Sequence, residues 1–298
     1  VQHGEALGGW KALSAKDVFD VEYWELEQAK LKTKKTAPPL QGKVALVTGA
    51  ASGIGKALAV EFKNEQAKDV ILADLNEDVL KVAEELGYAG FVLNVSKEGE
   101  IQKLIAFANE KMNGIDIFCS NAGIGGAFGL LDVTTEDWQN IWDVNFMAHA
   151  HVAKHLIPQM LEQGSGYLVN TASAAGLLTQ LGAAPYSVTK AAAVSLAEWI
   201  KITYGEKGIG VSCLCPQAVK TAMTAQGPGV AGVDGMIEAD ECAKDVIDAI
   251  KKERFLVTPH QEVLEYIKRK TSDYDRWILG MQRLQGRFEE FYEGFKDQ

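Results

Sequence analysis

Tyr186 and Lys190 are the two side chains best suited to moving a proton. They stand four residues apart, so they share one face of a helix, and residues 182–185 just before them can begin one. A free tyrosine has a pKa of about 10 and is a poor base at neutral pH, but a neighbouring ammonium favours its phenolate form. Ser173 follows an apolar segment and could donate a hydrogen bond to a substrate oxygen on which charge develops. The three residues together suit the oxidation of an alcohol or the reduction of a carbonyl group.

A glycine-rich turn near the start of the regular part of the chain is suited to binding phosphate. Gly49, Gly53 and Gly55 follow an apolar run at residues 44–47, and a helical segment begins at Ile54. Gly49 allows a tight turn, Gly53 lets the backbone approach a pyrophosphate, and Gly55 permits close packing of helix on sheet. The free N–H groups and positive dipole end of that helix attract phosphate. The order strand, turn, helix therefore predicts a dinucleotide site, although the spacing is GxxxGxG rather than GxGxxG.

Asp74 indicates which dinucleotide that site prefers. It ends the second apolar run, about 20 residues after the last glycine of the turn, where an acid can bond the hydroxyls of the adenosine ribose. A carboxylate there repels a 2′-phosphate, and neither Ser52 nor Leu75 supplies a cation to offset the repulsion. The pattern predicts NAD rather than NADP as the cofactor. Capping of the next helix is the alternative role for Asp74.

Strands and helices alternate around these residues. The apolar runs of strand length are residues 44–47, 70–73, 90–93, 115–119, 166–169, 211–215 and 255–257. Strands that are apolar throughout are typical of a parallel sheet with helices on both faces. The sequence therefore predicts an α/β fold, with a single doubly wound Rossmann domain over residues 41–260. Residues 1–40 are predicted to form an N-terminal extension with a short helix and a linker, and residues 261–298 a C-terminal helical extension.

Composition and charge exclude several classes of protein. The net charge is −10 with histidine neutral, which argues against nucleic acid or an anionic membrane as a partner. No apolar stretch reaches the roughly 18 residues of a membrane helix, and no apolar core of a secretory signal stands near the start. The four cysteines have apolar neighbours, as expected of buried free thiols in a reducing compartment. A cytoplasmic location is the expectation.

The motifs occur in an order that resembles the short-chain dehydrogenase/reductase family. The resemblance covers roughly residues 40–260 and rests on residues 48–55, Asp74, residues 120–123, Asn145, Ser173, Tyr186, Lys190, Cys215 and Pro216. It implies a seven-stranded sheet, assembly into homotetramers or homodimers, and the activity of an NAD-dependent alcohol dehydrogenase or ketone reductase. The implied catalytic residues are Asn145, Ser173, Tyr186 and Lys190. Asn145 is implied to hold a water that links Lys190 to solvent.

The resemblance also implies which residues contact the cofactor and the substrate. The expected cofactor-binding residues are Gly49, Ser52, Gly53, Ile54, Gly55, Asp74, Leu75, Asn94, Val95, Asn121, Ala122, Gly123, Tyr186, Lys190, Pro216, Val219 and Thr221. The expected substrate pocket is lined by Leu177, Leu178, Ala184 and Met223, an apolar set that favours a hydrophobic or mixed substrate. The glycine-rich segment 227–235 is interpreted as a mobile lid, with a plain disordered loop as the alternative.

Three positions depart from the family pattern. Ser120 replaces the first residue of the usual Asn-Asn-Ala-Gly, and Asn94 replaces the acid that meets the adenine. Gln217 stands where glycine is usual after Pro216, which puts the conformation of that loop in question.

Three histidines, His149, His151 and His155, lie on one helical segment, and the last two have the spacing of a zinc pair. No acid lies between or near them, so a helix face or a subunit contact is favoured and no metal site is predicted.

Other functions are compatible with the same motifs. Residues 22–31 and the linker after them resemble the junction in bifunctional proteins that join a class II aldolase to a short-chain dehydrogenase. Residues 1–40 are then an adaptor to such a domain, or alternatively a docking helix. The junction favours a sugar, polyol or hydroxyacyl substrate as the second candidate. A non-catalytic NAD-binding scaffold is the candidate from another class, and the presence of Ser173, Tyr186 and Lys190 argues against it.

Overall fold

The computed structural model describes residues 40–288 and Tyr292. Leu40 begins the compact unit to which these residues belong. The helix predicted near residues 20–32 and the linker at 34–39 lie outside the described residues, as does the end of the C-terminal extension apart from Tyr292.

Seven parallel strands form one sheet, in the order β3-β2-β1-β4-β5-β6-β7. The strands are β1 (Val44–Thr48), β2 (Asp69–Asp74), β3 (Ala89–Val92), β4 (Ile117–Ser120), β5 (Gly166–Thr171), β6 (Ile209–Leu214) and β7 (Leu256–Val257). The predicted doubly wound sheet is confirmed. The strand order switches direction between β1 and β4, and open α/β sheets bind ligands at the carboxyl ends of strands beside such a switch.

Helices pack on both faces of this sheet. They are α1 (Gly53–Asn64), α2 (Asp78–Leu86), α3 (Glu98–Met112), α4 (Thr135–Trp142), α5 (Ala148–Gln163), α6 (Ala174–Leu178), α7 (Ala184–Tyr204), α8 (Ala239–Lys251), α9 (Glu262–Ser272) and α10 (Tyr274–Arg287). Within the described part of the chain, no helix is both long and apolar enough to cross a membrane.

β1 shows why the strands are apolar throughout. Leu46 packs into the hydrophobic cluster formed with α3, α5 and α7, whereas Ala45 and Val47 pack into the cluster formed with α1, α2 and α8. Successive side chains of a strand point to opposite faces, so a sheet covered on both faces buries most strand side chains and favours apolar residues. Full burial of a valine or leucine side chain contributes roughly 1.5–3 kcal/mol.

The C-terminal extension forms two helices, α9 and α10, as the amphipathic pattern predicted. Val263 of α9 is fully buried against Ala174 and Leu178 of α6, in a small hydrophobic cluster of its own. Lys270 Nζ donates a hydrogen bond of 2.7 Å to the carbonyl oxygen of Leu177. The extension is therefore packed beside α6, immediately after Ser173.

The expectation that no acid lies near the histidines is wrong. Glu98, the first residue of α3, lies 2.7 Å from His155 Nε2 and 3.8 Å from His151 Nδ1, because α3 and α5 pack side by side. Hydrogen bonds from Lys154 and His155 lower the pKa of the Glu98 carboxyl to about 2. His149, in contrast, is buried, and burial together with the charge of Lys190 lowers its pKa to about 3. The four cysteines are free and buried.

Replacement of Gly55 by alanine should destabilise the fold. Gly55 has an ordinary helical conformation, but a Cβ there would lie 2.0 Å from the carbonyl oxygen of Gly49, so the turn must shift. Overpacking of this kind costs about 1–3 kcal/mol. We expect a lower midpoint of thermal unfolding for Gly55→Ala, measured by circular dichroism. Gly99→Ala, in the first turn of α3 with nothing within 4 Å of the new Cβ, is the matched control. Equal midpoints for the two variants would contradict the packing argument.

Candidate active site

A cleft of about 900 Å³ opens at the carboxyl ends of the central strands. Every residue predicted to contact the cofactor lines it, with the exception of Gly55, which is buried beneath the turn. Of the catalytic candidates, Ser173, Tyr186 and Lys190 also line the cleft, whereas Asn145 is buried behind it. The structure therefore brings together residues that lie up to 172 positions apart, from Gly49 to Thr221.

The turn between β1 and α1 forms a cradle that side chains would fill. Gly49 and Gly53 have φ angles of +67° and +51°, which favour glycine. A Cβ on Gly49 would lie 2.9 Å from Ala122 Cα, and one on Gly53 would lie 3.0 Å from Thr221 Cγ2. Ser52 makes no side-chain cap to α1, whose first turn also contains no acid. The N–H groups of that turn are therefore available to an anion, and the cradle fits the pyrophosphate of a dinucleotide.

Hydrogen bonds among Thr48, Asn121 and Thr171 hold the carboxyl ends of three strands together. Thr48 Oγ1 accepts from the backbone N–H of Asn121 at 2.9 Å and of Ala122 at 3.2 Å. The Asn121 amide donates to Thr48 O at 3.1 Å and accepts from Thr171 Oγ1 at 3.0 Å. β1, β4 and β5 are thus joined at the floor of the cleft. Ser120, the departure from the family pattern, is buried at the end of β4 and leaves this network intact.

Asp74 lies at the rim of the cleft and bonds the loops on either side. Its Oδ2 accepts from the backbone N–H of Ala51 at 2.9 Å, and its Oδ1 accepts from that of Asn76 at 3.0 Å. The side chain of Asn76 caps the backbone N–H of Asp78, so Asp74 is not required as the cap of α2. Among the described residues that line the cleft, Lys190 is the one cation.

Tyr186 and Lys190 share one face of α7, as their spacing predicted. Pro185 lies in the first turn of α7, where a missing N–H costs nothing. Lys190 Nζ donates to Thr171 O at 3.0 Å and lies 5.7 Å from the centroid of the Tyr186 ring. Ser173 caps α6 by accepting from the backbone N–H of Ala175 at 3.1 Å, and its hydroxyl also hydrogen-bonds the Tyr186 side chain.

Burial governs the protonation of this pair. It raises the pKa of the Tyr186 phenol above its ordinary value, and the hydrogen bond with Ser173 acts in the opposite direction. Burial also lowers the pKa of Lys190 to about 8, against the effect of the thiols of Cys215 and Cys213. The expectation that Lys190 lowers the pKa of Tyr186 is therefore not met in the chain itself, because loss of solvent around the phenol is the larger effect. The phenol keeps its proton at neutral pH.

Asn145 is placed by a π-helical turn, Asp143–Met147, between α4 and α5. Its side chain clamps the backbone of Ile124, accepting from the N–H and donating to the carbonyl oxygen, both at 2.9 Å. A Cβ on Gly123 would lie 3.2 Å from Asn145 Oδ1 and 3.3 Å from Lys190 Nζ, so the glycine lets these two polar groups approach. π-helical turns often occur at functional sites.

A second cavity of about 850 Å³ adjoins the cleft on the side of α9 and α10. Four residues line both spaces, namely Ser173, Gln180, Gln217 and Ala231. Leu178 lines the second cavity and Met223 the cleft, whereas Leu177 packs in the small cluster with α9. Ala184, also expected in the pocket, lines neither space: it is the first residue of α7, and its neighbour Ala183 lines the cleft instead.

The loop after Pro216 is held without the usual glycine. Gln217 does not have a positive φ, so glycine is not required there. Its backbone N–H donates to His260 Nδ1 at 3.2 Å, and its side chain donates to Asp234 Oδ2 at 3.0 Å. Tyr266 of α9 donates to the other oxygen of Asp234 at 3.0 Å. The glycine-rich segment 227–235 is therefore anchored at Asp234, and its movement as a lid stays a prediction.

Two features of the site were missed in the sequence. Tyr292 is buried, lines the cleft, and lies 6.3 Å from the ring of Phe128. Nothing in its local sequence indicates that contact. Four arginines of α9 and α10 line the second cavity, and these have a visible signal, since Arg269, Arg276 and Arg283 recur every seven residues.

Family models match two parts of the chain. The model described as short chain dehydrogenase matches residues 43–228, and the model described as aldolase class II, second domain, matches residues 1–31. The second match confirms the resemblance of the N-terminal segment to the aldolase junction.

Individual relatives agree with the first match. A 1-deoxy-11-beta-hydroxypentalenate dehydrogenase from Streptomyces avermitilis is 35% identical over 73% of this chain and 84% of its own length. Dehydrogenase/reductase SDR family member 4 of Oryctolagus cuniculus is 36% identical over 62% of this chain and 74% of its own length. A short chain dehydrogenase/reductase from Burkholderia phymatum, solved in complex with NAD, superposes with a TM-score of 0.73 at 28% identity, covering 79% of this chain and 95% of that one. The chain therefore belongs to the short chain dehydrogenase family of oxidoreductases.

Proposed function

We propose that this protein is an NAD-dependent oxidoreductase that interconverts a secondary alcohol and a ketone. The observation that carries the proposal is that Ser173, Tyr186 and Lys190 line the same cleft as the phosphate cradle. A proton-transferring group and a dinucleotide site are what alcohol oxidation requires, because a proton and a hydride both leave the substrate.

Tyr186 is proposed as the acid and base of the reaction. When bound, the nicotinamide ring of the cofactor supplies or accepts the hydride. In the direction of reduction, the protonated Tyr186 phenol donates its proton to the carbonyl oxygen, and the Ser173 hydroxyl hydrogen-bonds the same oxygen. Lys190, with a pKa of about 8, is mostly charged at neutral pH and stabilises the phenolate that remains. In oxidation the same groups act in reverse.

Asn145 is proposed to complete the proton path. It lies close to Lys190 on the other side of Gly123, so a water held there links Lys190 to solvent and returns the proton to Tyr186. The clamp on Ile124 fixes the side-chain amide of Asn145, which gives that water a defined partner.

The charge distribution of the cleft supports NAD as the cofactor. Asp74 places a carboxylate at the rim, where a 2′-phosphate would be repelled, and no arginine lines the described part of the cleft. The Burkholderia relative is a complex with NAD, which agrees with this assignment.

The same chain is proposed to assemble into homo-oligomers. α7 carries Val188, Trp199 and Ile202 on one exposed face, and Ile202 is 82% exposed. Large apolar side chains grouped on one helix face are typical of a protein interface. A dimer or tetramer through this face, and a cytoplasmic location, are the expectations.

Tyr186→Phe should remove turnover and keep the cofactor site. Loss of the phenolic proton is expected to lower kcat by about 10²–10⁴-fold, the usual contribution of general acid–base catalysis. NADH absorbance with a panel of ketones gives the rate, and fluorescence titration gives the NADH dissociation constant, which should change little. Tyr204→Phe, at the end of the same helix and outside the cleft, is the control. Full turnover in Tyr186→Phe would exclude the proposed mechanism. A wild-type protein that turns over none of the substrates would favour a non-catalytic NAD-binding scaffold.

Asp74→Asn should shift the cofactor preference towards NADP. The amide keeps a hydrogen-bond acceptor for the loop but removes the charge that opposes a 2′-phosphate. The ratio of kcat/KM for NADPH over NADH is expected to rise about ten-fold, equivalent to about 1.4 kcal/mol. Asp78→Asn, which removes an exposed carboxylate outside the cleft, should leave the ratio unchanged. A wild type that prefers NADPH would overturn the assignment of NAD.

Ile202→Glu should weaken the proposed assembly. Light scattering coupled to size exclusion should give a wild-type mass that is a multiple of the 32.3 kDa chain. A buried charge at the interface should lower that mass in Ile202→Glu, whereas Leu131→Glu, at an exposed loop position, should not. A monomeric wild type would refute the proposal.

A further inference from the structure

Within the described part of the chain, the arginine side chains gather at the second cavity. The chain contains five arginines against 25 lysines, and its net charge is −10. Four of the five arginines line this cavity: Arg269, Arg276, Arg283 and Arg287. The fifth, Arg254, is paired with Asp245 and Asp248 elsewhere.

The four arginines have no ion-pair partner among residues 40–288 and Tyr292. One carboxylate, that of Asp273, also lines the cavity, but it is engaged as the cap of α10, accepting from the Arg276 backbone N–H at 3.0 Å. Arg276, Arg283 and Arg287 stand seven and four residues apart, so all three share one face of α10. Among the described residues, the wall that α10 presents to the cavity therefore carries three guanidinium groups and one carboxylate, a net positive charge.

The use of arginine rather than lysine indicates what the cavity binds. A guanidinium donates two parallel hydrogen bonds to a carboxylate or phosphate, whereas an ammonium acts as a point charge. Lysine occupies most of the cationic positions of this chain, whereas arginine occupies those of this wall. Apolar side chains lie between the arginines, among them Trp277, Met281 and Leu284.

The cavity shares lining residues with the cleft that holds the proposed reaction centre. Ser173, whose hydroxyl is proposed to bond the reacting oxygen, lines both spaces, as does Gln217. A ligand that lies along α10 therefore reaches Ser173 with its uncharged end. A volume of about 850 Å³ is within the usual range for a small-molecule site.

We propose that the substrate is an amphipathic anion, a ketone or secondary alcohol whose apolar body ends in a carboxylate or a phosphate ester. The anionic group binds the arginines of α9 and α10, and the apolar body packs between Leu178 and Trp277, with the reacting carbon at Ser173 and Tyr186. The inference rests on the proposed oxidoreductase function and specifies the substrate class of that site. It also revises the expectation of a pocket that is only apolar.

Matched substrates test the inference directly. NADH absorbance is used to assay a series of keto acids with increasing numbers of methylenes between ketone and carboxylate. Each keto acid is compared with its methyl ester and with a phosphate ester of the corresponding hydroxyketone. One chain length should give a kcat/KM about ten-fold or more above that of its methyl ester, since a hydrogen-bonded charge contributes about 1.5–3 kcal/mol. Comparison of kcat/KM between the carboxylate and phosphate series shows which of the two anionic groups the cavity prefers.

Variants connect that preference to the cavity. The double variant Arg276→Gln, Arg283→Gln should raise KM for the anion, so that the ratio of kcat/KM for the anion over that for its methyl ester falls towards one. Lys268→Gln removes a positive charge from α9 outside the cavity and should behave as wild type. Replacement of both arginines by lysine should restore only part of the preference.

A binding measurement gives a readout that does not depend on turnover. Phenylacetate, methyl phenylacetate and phenyl phosphate are titrated against the full chain while tryptophan fluorescence is followed. The anions should change the signal at lower concentration than the ester, and the change should be lost in Trp277→Phe and weakened in the double arginine variant.

The outcomes separate this inference from the proposed function. Reduction of neutral ketones that depends on Tyr186, with no preference for anions in any chain length, would overturn the inference alone. Anion binding without turnover of any substrate would overturn the proposed oxidoreductase function but would support the assignment of the second cavity as an anion-binding site. A double arginine variant that lowers the oligomer mass, with unaltered substrate preference, would assign the arginines to a subunit interface instead.

Discussion

The joining of β1, β4 and β5 at their carboxyl ends is the constraint on which the site depends. Parallel pairing brings Thr48, Asn121 and Thr171 to one edge of the sheet, where their hydrogen bonds bind the three strands together. The turn that forms the phosphate cradle begins directly after Thr48, at the end of β1. Lys190 donates a hydrogen bond to the carbonyl oxygen of Thr171, at the end of β5. A change in the relative position of these strands would change the distance between the cradle and the groups proposed to transfer the proton.

Burial then sets the chemistry of the groups placed there. The same loss of solvent that raises the pKa of Tyr186 lowers that of Lys190, because burial disfavours the charged form of each. The chain alone therefore holds a neutral phenol beside an ammonium whose pKa is about 8. A positively charged nicotinamide, when bound in the cleft, adds to the field of Lys190 and favours the phenolate. This pair is the one proposed to transfer the proton.

The C-terminal extension carries the residues that are proposed to select the substrate. α9 docks on α6 through Val263, and four arginines of α9 and α10 line the cavity that Ser173 also lines. Asp234 connects the glycine-rich segment to Gln217 and Tyr266, so the loop after Pro216, the segment 227–235 and the extension form one wall. Residue types in the cleft define the proposed reaction, whereas this wall defines the proposed substrate.

The sequence by itself determined the order of strands and helices, the glycine turn, Asp74 and the pair Tyr186 and Lys190. These are local features: apolar periodicity, glycine spacing and a four-residue helical offset report on neighbours in the chain. Only the tertiary structure decided which distant groups meet. Glu98 contacts His155 because α3 packs on α5. Ala183, at the start of α7, lines the cleft, whereas Ala184 does not, and Tyr292 near the C-terminus also lines it. The arginines were visible as a seven-residue repeat, but a repeat says only that they share a face. The docking of α9 on α6 decides that this face lines a cavity beside Ser173, because packing between elements distant in sequence depends on the shape of the whole core.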